Sequence, residues 1–231
     1  MLVLPLSGWA QQIEAVDDGF TVTVNKTFAV DDGGMLDLEA TNGSITVSGG
    51  ERNEVVVKET IRFEESSREE VDAFLAENAT SYEVENGTVR IRGPESGNGN
   101  WGWWGGSRQN VQYTYSVQVP RRFSTTLRSS GGSLTVTDLE GAVQGKTAGG
   151  SVTTERITGD VQVQTAGGSL ALREIDGAVQ GKTAGGSIEV GTVSGPLNVR
   201  TAGGSIRVEQ AGNNVNAETA GGSIQVEEVE G

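Results

Sequence analysis

The chain contains no cysteine and no histidine. Without cysteine there is no disulfide framework and no thiolate metal site. Without histidine the usual general base is missing, and with it the Ser-His-Asp triad and most zinc sites. No stretch approaches the roughly 20 apolar residues of a membrane-spanning helix. We therefore expect a non-enzymatic protein with no catalytic residue, no cofactor, no metal site and no membrane span.

Basic residues are also scarce, with 17 Lys and Arg against 31 Asp and Glu, a net charge of −14. A negative charge of this size disfavours nucleic acid and anionic lipid surfaces as partners. Glycine is abundant instead, at 35 of 231 residues, which is about twice its average usage. Because these glycines recur at fixed positions, they indicate corners of a repeated structure rather than disorder.

One short motif occurs six times in the C-terminal half, at a constant spacing of 18 residues. It consists of serine or alanine, two glycines, serine and an aliphatic residue. A fixed period of this length is typical of a solenoid, in which each repeat buries its apolar side only by stacking on its neighbours. The glycine pairs, which we assign to structural corners, are Gly131 and Gly132, Gly149 and Gly150, Gly167 and Gly168, Gly185 and Gly186, Gly203 and Gly204, and Gly221 and Gly222.

Apolar and polar residues alternate after each glycine pair, as in Leu170-Ala171-Leu172. This period of two is that of a β-strand with one buried face. Each coil is predicted to hold two short strands joined at glycine corners, because tight turns need positive φ and stacked backbones leave little room for a Cβ. Equivalent residues such as Thr165 and Thr183 should then lie one strand spacing apart, about 4.8 Å.

The predicted fold class is all-β: a parallel β-solenoid with 18-residue coils and one short helix in the N-terminal half. The hexapeptide period of left-handed β-helices would need aliphatic residues six and twelve positions after Val152. Thr158 and Gln164 stand there instead. We therefore favour right-handed winding, which parallel crossover connections also prefer.

The pattern divides the chain into three parts: residues 1–10 as a signal-peptide remnant, residues 11–126 as an irregular N-terminal β region, and residues 127–231 as the regular solenoid. The segment from Asn42 to Ile45 echoes the later motif. It indicates that less regular coils begin near residue 20.

A helix is predicted over residues 66–78, since Ser67 and Glu70 have the spacing of a capping box and Val71, Phe74 and Leu75 form one apolar face. A lone helix beside a β-rod should cover an edge or an apolar flank.

The first residues combine an apolar run with Gly8 and Ala10, small residues that suit signal-peptide cleavage before Gln11. A positively charged beginning is missing, which a misplaced start codon or a trimmed sequence would explain. The alternative is an ordinary first strand. On this pattern we expect an exported protein, located in the periplasm, at the cell surface or outside the cell.

A loop over residues 93–110, rich in glycine and tryptophan, interrupts the strands. It contains three of the four tryptophans, which form a candidate binding tip whose indole rings would stack on sugar rings or on a partner surface. In the alternative the loop is an insertion whose rings fold back over the flank of the rod. The tryptophans are Trp101, Trp103 and Trp104.

Together, a strand ending in Val117-Gln118-Val119-Pro120 and the repeated Gly-x-Val-x-x-x-Thr pattern resemble the bacterial putative adhesin family of β-strand repeat proteins, a domain of unknown function. The resemblance covers residues 35 to 231. It implies a parallel β-solenoid in exported or envelope-associated proteins and brings no catalytic residues. The chain departs from the family pattern in its regular 18-residue spacing and in its tryptophan loop.

Three functions follow as expectations. The first is a structural or adhesin-like surface protein of the bacterial envelope, whose partners would be surface glycans or envelope proteins. The second is a filament subunit that stacks end to end on copies of itself, because no capping repeat follows Val229. The third is a glycan or cell-wall binding module that uses the tryptophan loop.

Acidic pairs such as Asp31-Asp32 could in principle bind calcium. We interpret them as solvated turn residues instead, since no aspartate follows the glycine pairs.

Overall fold

The structure is a computed structural model that describes residues 10–94 and 111–230. Twenty strands in these ranges form two sheets, which we call sheet A and sheet B. Sheet A contains β1 (Ala10–Val16), β2 (Gly19–Ala29), β4 (Gly43–Gly50), β5 (Glu54–Glu64), β8 (Val111–Pro120), β10 (Leu134–Glu140), β12 (Val152–Thr158), β14 (Leu170–Asp176), β16 (Ile188–Val193), β18 (Ile206–Ala211) and β20 (Ile224–Val229). Sheet B contains β3 (Gly34–Ala40), β6 (Ser81–Glu85), β7 (Thr88–Arg92), β9 (Phe123–Ser129), β11 (Val143–Thr147), β13 (Val161–Gln164), β15 (Val179–Lys182), β17 (Leu197–Thr201) and β19 (Val215–Thr219).

In the regular part of the chain, each strand of sheet A is followed by a strand of sheet B, and each pairs in parallel with the strand one repeat later. Leu170 of β14 pairs with Ile188 of β16, and Val161 of β13 pairs with Val179 of β15. Residues 18 apart are therefore direct neighbours. Thr165 and Thr183 lie in adjacent layers, as expected, since the Thr165 amide donates to the carbonyl of Lys182. The right-handed winding stays a prediction.

The core lies between the two sheets and continues from Val30 to Ala211. In the coil of β14 and β15, the apolar residues Leu170, Leu172 and Ile175 are at most 2% exposed. Small and large residues alternate at one inward position of sheet B: Gly145 and Gly181 occupy it in alternate layers with Val163 and Val199. A Cβ on Gly181 would lie 3.1 Å from Leu170 Cδ1 of the same coil and 3.2 Å from Val199 Cγ1 of the next coil, so the surrounding side chains already fill that space.

A bulge recurs in sheet A at Asp138, Arg156 and Glu174, which have φ between 50° and 61°. None of these three residues has a paired residue in the neighbouring strands, although the residues on either side of the bulge do. The extra residue shifts the alternation, so that Val136 and Leu139 both point inward although they are three positions apart. A side chain in this left-handed region costs free energy because Cβ approaches the following carbonyl oxygen.

Replacing Glu174 with glycine should relieve this strain, since glycine has no Cβ. We expect the free energy of unfolding to rise by about 0.5–1 kcal/mol. Thr192 holds the equivalent position one repeat later without a positive φ, so Thr192→Gly should instead lower it by about 1 kcal/mol. Urea denaturation of both variants measures the difference. Equal effects of the two changes would contradict the strain at Glu174.

The corner glycines are explained by close packing and not by the positive φ that the sequence suggested. Among the described residues, none of the twelve glycines of the six pairs has a positive φ. The second glycine of each pair instead lies against the preceding coil: a Cβ on Gly168 would stand 2.2 Å from the carbonyl oxygen of Gly150. The first glycine has more room, with 3.3 Å between a Cβ on Gly167 and the carbonyl oxygen of Gly149.

The expectation that solenoid coils begin near residue 20 is wrong for the first strands. β1 pairs antiparallel with β2, β2 pairs antiparallel with β5, and β5 pairs antiparallel with β8. Parallel stacking starts only with β3 and β4. Alternation of apolar residues predicts a strand and its buried face, but it carries no information on strand direction.

The coil that contains β4 is inserted between later strands. β4 lies between β8 and β10 in sheet A, and β3 lies between β9 and β7 in sheet B. The predicted boundary at residue 127 falls within β9, which pairs with β3 on one side and β11 on the other. The division into an irregular and a regular domain stays a prediction.

The helix α1 spans Arg68–Glu77. Its capping box is confirmed: the Ser67 side chain accepts from the amide of Glu70, and the Glu70 carboxylate accepts from the amide of Ser67 at 2.7 Å. This contact lowers the pKa of Glu70. α1 covers a flank of sheet A, where Val71 packs with Val22 and Ile61, and where the rings of Phe74 and Phe63 meet edge to face at 5.3 Å.

None of the helices in the described ranges is long and apolar enough to cross a membrane. The candidate signal-peptide remnant, apart from Ala10, lies outside the described residues. So do Trp101, Trp103 and Trp104, and with them most of the loop over residues 93–110.

Candidate interaction surface

Five consecutive strands of sheet B contain no aspartate or glutamate. These strands, β9, β11, β13, β15 and β17, form a single parallel run through the middle of the sheet. Their outward residues are amides, hydroxyls and cations. Because acidic residues outnumber basic ones almost two to one over the whole chain, the outer face of these five strands, which we call the amide-cation face, differs in charge from the rest of the molecule.

The outward residues of this face form two columns that run from coil to coil. One column holds cations with a single glutamine between them: Arg128, Lys146, Gln164, Lys182 and Arg200. The other holds amides after an initial threonine: Thr126, Gln144, Gln162, Gln180 and Asn198. Neighbours within a column are about 4.8 Å apart, as in any sheet. The face therefore repeats the same chemistry at regular intervals.

Acidic residues flank the amide-cation face at its two ends. Arg128 lies 3.3 Å from Asp37 of β3, and Arg200 lies 3.1 Å from Glu218 of β19. Between them, Lys146 and Lys182 are exposed and form no ion pair within the described residues. The centre of the face therefore holds uncompensated positive charge.

The outer face of sheet A is different. Each regular strand from β10 to β20 contains at least one acidic residue. Its cations are paired across coils: Arg207 lies 2.5 Å from Glu227, and Arg173 lies 3.8 Å from Glu189. Positive charge on this face is thus balanced locally, so the two faces of one rod present different surfaces.

The glycine corners are held by two repeated hydrogen bonds. The hydroxyl of Thr165 donates to the carbonyl oxygen of Gly150 at 2.8 Å, and it accepts from the amide of Gly168 at 3.2 Å. At the next position, the Ser187 amide donates to the hydroxyl of Ser169 in the preceding coil at 3.2 Å. These bonds stiffen the edge between the two sheets and fix the orientation of the amide-cation face.

A second polar cluster is buried beneath α1, around Glu59 of β5. Glu59 is 2% exposed and accepts hydrogen bonds from the hydroxyls of Tyr82, at 2.6 Å, and Thr80. The Tyr115 hydroxyl lies 3.3 Å from Thr80 Oγ1, and Lys26 Nζ lies 4.7 Å from the centre of the Tyr82 ring. A cavity of about 130 Å³ beside Lys26 and Glu59, whose lining also includes the apolar residues Ile61 and Leu75, has room for several water molecules.

Burial dominates the electrostatics of this cluster. It raises the pKa of Tyr82, Tyr113 and Tyr115 well above the usual range of a phenol, and the negative charge of Glu59 raises each further. Burial lowers the pKa of Lys26, which Glu59 partly offsets. Phenols that hold their protons this firmly are poor general bases. The cluster acts as an anchor that ties β6 and the end of α1 to β5.

The chain has three tyrosines, and all of them belong to this cluster. In the folded protein we expect no tyrosinate absorbance at pH 11, whereas in urea the same phenols should titrate near pH 10, their ordinary value. A phenol with a raised folded pKa stabilises the fold fully below pH 10 and loses that contribution as pH rises through the folded value. Spectrophotometric titration with and without urea measures this. Tyrosinate appearing near pH 10 in the folded protein would contradict the burial.

The sequence analysis missed Glu59, although a signal was present. In the strand pattern Val55, Val57, Glu59, Ile61 and Phe63, the glutamate stands at an inward position. It also missed the amide-cation face, whose strands are recognisable by the absence of acidic residues.

The acidic pairs of the sequence contribute single residues to surface ion pairs: Asp32 of the pair Asp31-Asp32 lies 2.9 Å from Arg122. No cluster of acidic residues suited to a metal ion occurs within residues 10–94 and 111–230.

Comparison with solved structures finds several similar chains of low sequence identity. A putative adhesin from Bacteroides fragilis NCTC 9343 is 13% identical, with a TM-score of 0.49 over 88% of this chain and 96% of its own. A putative cell adhesion protein from Clostridium sporogenes ATCC 15579 is 14% identical, with a TM-score of 0.39 over 88% and 98%. A putative lipid binding protein from Parabacteroides distasonis ATCC 8503 is 12% identical, with a TM-score of 0.30 over 89% and 96%.

Among proteins with curated functions, none matches the chain significantly. The sequence profile of one domain family, described as Toastrack DUF4097, matches residues 53–230. This range contains the strands from β5 to β20, which include all the regular coils described above. The chain therefore belongs to the Toastrack DUF4097 family.

Proposed function

We propose that the protein is a non-enzymatic, exported scaffold of the bacterial cell envelope that acts as a structural or adhesin-like surface protein. The observation that carries this proposal is the stack of coils itself, in which residues 18 apart are paired and the outward residues form long regular columns. A rod of this kind displays the same side chains repeatedly, which suits attachment to extended partners. Membership of the Toastrack family is consistent with this role.

The location is tested by expressing the gene with its natural upstream sequence in the source bacterium and following the protein with an antibody. We expect it in the envelope or culture fraction, and we expect protease added to intact cells or to spheroplasts to reach it. A cytoplasmic enzyme measured in the same fractions serves as the control. Recovery of the protein with that enzyme, protected from protease, would refute export.

A filament subunit is a second candidate function, which the surface of β20 favours. Ile224, Val226 and Val229 are 45%, 39% and 50% exposed, and β20 lies at the edge of sheet A. An exposed apolar edge strand is a template for pairing with another chain. If β20 met β1 of a second copy, the two strands would run antiparallel, because β1 and β5 run opposite to the regular strands of sheet A.

Electron microscopy of the purified protein at rising concentration tests the filament. End-to-end polymers that a Val226→Lys change abolishes would support it, because a charge at this edge opposes pairing. Short rods of one length at every concentration would refute it.

The tryptophan hypothesis also stays a proposal. A glycan and cell-wall pull-down with Trp103 and Trp104 both changed to alanine tests it. Lost retention on cell-wall material would support a binding tip, and retention equal to that of the parent protein would eliminate the loop as the binding element.

A further inference from the structure

We infer that the amide-cation face binds a linear polysaccharide that carries carboxylate groups, lying along the axis of the rod. This deepens the proposed function and rests on it, since it names what an envelope scaffold of this shape would hold. The first observation is charge: five strands without an acidic residue expose Lys146 and Lys182 at their centre, with Arg128 and Arg200 toward the ends. A polyanion is the ligand that such a surface complements.

The net charge of −14 does not prevent this binding at physiological salt. Charges further apart than about 8 Å are largely screened at that ionic strength. A polymer held against sheet B is therefore governed by the nearest side chains and not by the acidic residues on the other side of the rod. These nearest side chains are neutral or basic, except Asp160 at the margin of the face, whose carboxylate accepts a hydrogen bond from the Ala178 amide at 3.0 Å.

The spacing of the cations is the second observation. Lys146 and Lys182 occupy the same column two strands apart, with Gln164 between them, which places their attachment points about 9.6 Å apart. In an extended, 1,4-linked polyuronate, alternate sugars present their carboxylates on the same side, at a repeat of one disaccharide. That repeat is close to the separation of the two lysines, so one straight polymer meets both.

The amide column is the third observation, and it favours a polysaccharide over other polyanions. Gln144, Gln162 and Gln180 lie two residues before the cation column on the same face, a lateral distance of about 6.6 Å. Each amide offers two donors and an acceptor, which suits the hydroxyl groups that flank a sugar carboxylate. The described residues of β9 to β17 place no aromatic side chain outward, and stacking on aromatic rings is the usual means of holding single-stranded nucleic acid.

The test measures the binding of the full chain to polygalacturonate by isothermal titration. Fully methyl-esterified polygalacturonate, which keeps the backbone but lacks the charge, is the control ligand. The K146Q/K182Q variant should weaken binding about tenfold, because two exposed charge contacts are lost. Glutamine already occupies this column as Gln164, so the fold accepts the change. The R173Q/R207Q variant removes the same charge from sheet A and should leave the affinity within about twofold.

Binding to the carboxylated polymer that salt weakens, that esterification abolishes and that Q144A/Q162A/Q180A also reduces would support the inference. Equal affinity of both double variants would overturn it. Tighter binding of polyphosphate or single-stranded DNA than of polygalacturonate would overturn it too, and so would self-association that K146Q/K182Q abolishes. A chain that binds as expected but is found in the cytoplasm would refute the proposed function and leave this face as a polyuronate site.

Discussion

Replacing Gly168 with alanine should lower the free energy of unfolding by about 3 kcal/mol, and the valine variant by more. The alanine Cβ would stand 2.2 Å from the carbonyl oxygen of Gly150 and 2.4 Å from its carbonyl carbon. Both atoms belong to the backbone of the preceding coil, so no side chain can move aside. The two coils must separate at this corner, which weakens the hydrogen bond from the Thr165 hydroxyl to Gly150 as well.

Gly167 is the matched control, because it is the adjacent residue of the same corner. Its Cβ would lie 3.3 Å from the carbonyl oxygen of Gly149, a close but tolerable contact. We expect Gly167→Ala to change the free energy of unfolding by less than about 1 kcal/mol. Denaturant unfolding of the two alanine variants compares them directly. Similar stabilities would show that close approach of the coils is not the reason for the second glycine.

Replacing Glu59 with alanine should also lower the free energy of unfolding by about 3 kcal/mol. The change removes the acceptor for the hydroxyls of Tyr82 and Thr80, and it removes the negative charge of Glu59 that acts on the buried Lys26. Those groups would lose their protein partner while remaining in the interior. Because the anchor between β5 and β6 is then broken, we expect protease cleavage to begin in the segment from Asn78 to Ser81.

Glu64 provides the control for this change, since it ends the same strand and pairs with Arg62 at 3.3 Å on the surface. Exposed ion pairs contribute little, so Glu64→Ala should cost less than about 1 kcal/mol. Thermal unfolding and limited proteolysis report on both variants. If Glu59→Ala and Glu64→Ala lowered the stability equally, the cluster would not be the anchor described above.

Much of the fold was predictable, because in the repeats the alternation of apolar residues and the constant spacing indicate the same strand pairing that the structure shows. The alternation in Leu170-Ala171-Leu172 gave the buried face, and the constant spacing gave the pairing of Leu170 with Ile188. The helix was predicted to within two residues at its start, since the capping box of Ser67 and Glu70 is a local signal.

The remaining features depend on contacts between distant segments. Nothing in the pattern of Phe20, Val22 and Val24 distinguishes a parallel partner from an antiparallel one, and β2 proved antiparallel to β5. The insertion of β4 between β8 and β10 was equally hidden, because it depends on pairing with strands more than 60 residues later in the chain, which no local pattern specifies. The sequence analysis explained the glycine pairs partly by positive φ, which they do not have. A tight turn and a close approach of two backbones both select glycine, so the sequence alone does not distinguish the two causes.

The candidate surface was missed because the net charge was considered only for the whole chain. A net charge of −14 predicts repulsion of anions, and it says nothing of how the charges divide between two sheets. Only when the strands are assigned to sheet A or sheet B does it become visible that β9, β11, β13, β15 and β17 of sheet B contain no acidic residue. The three tryptophans, which the composition made prominent, lie outside the described residues and stay a prediction.

The constant register between coils has a consequence for how such a gene changes over generations. Since Leu170 meets Val152 on one side and Ile188 on the other with the same offset, a duplication or loss of one complete repeat by unequal recombination recreates the same junction. Rod length is therefore free to drift in whole steps, and each step adds or removes one rung of every surface column without requiring a compensating mutation elsewhere.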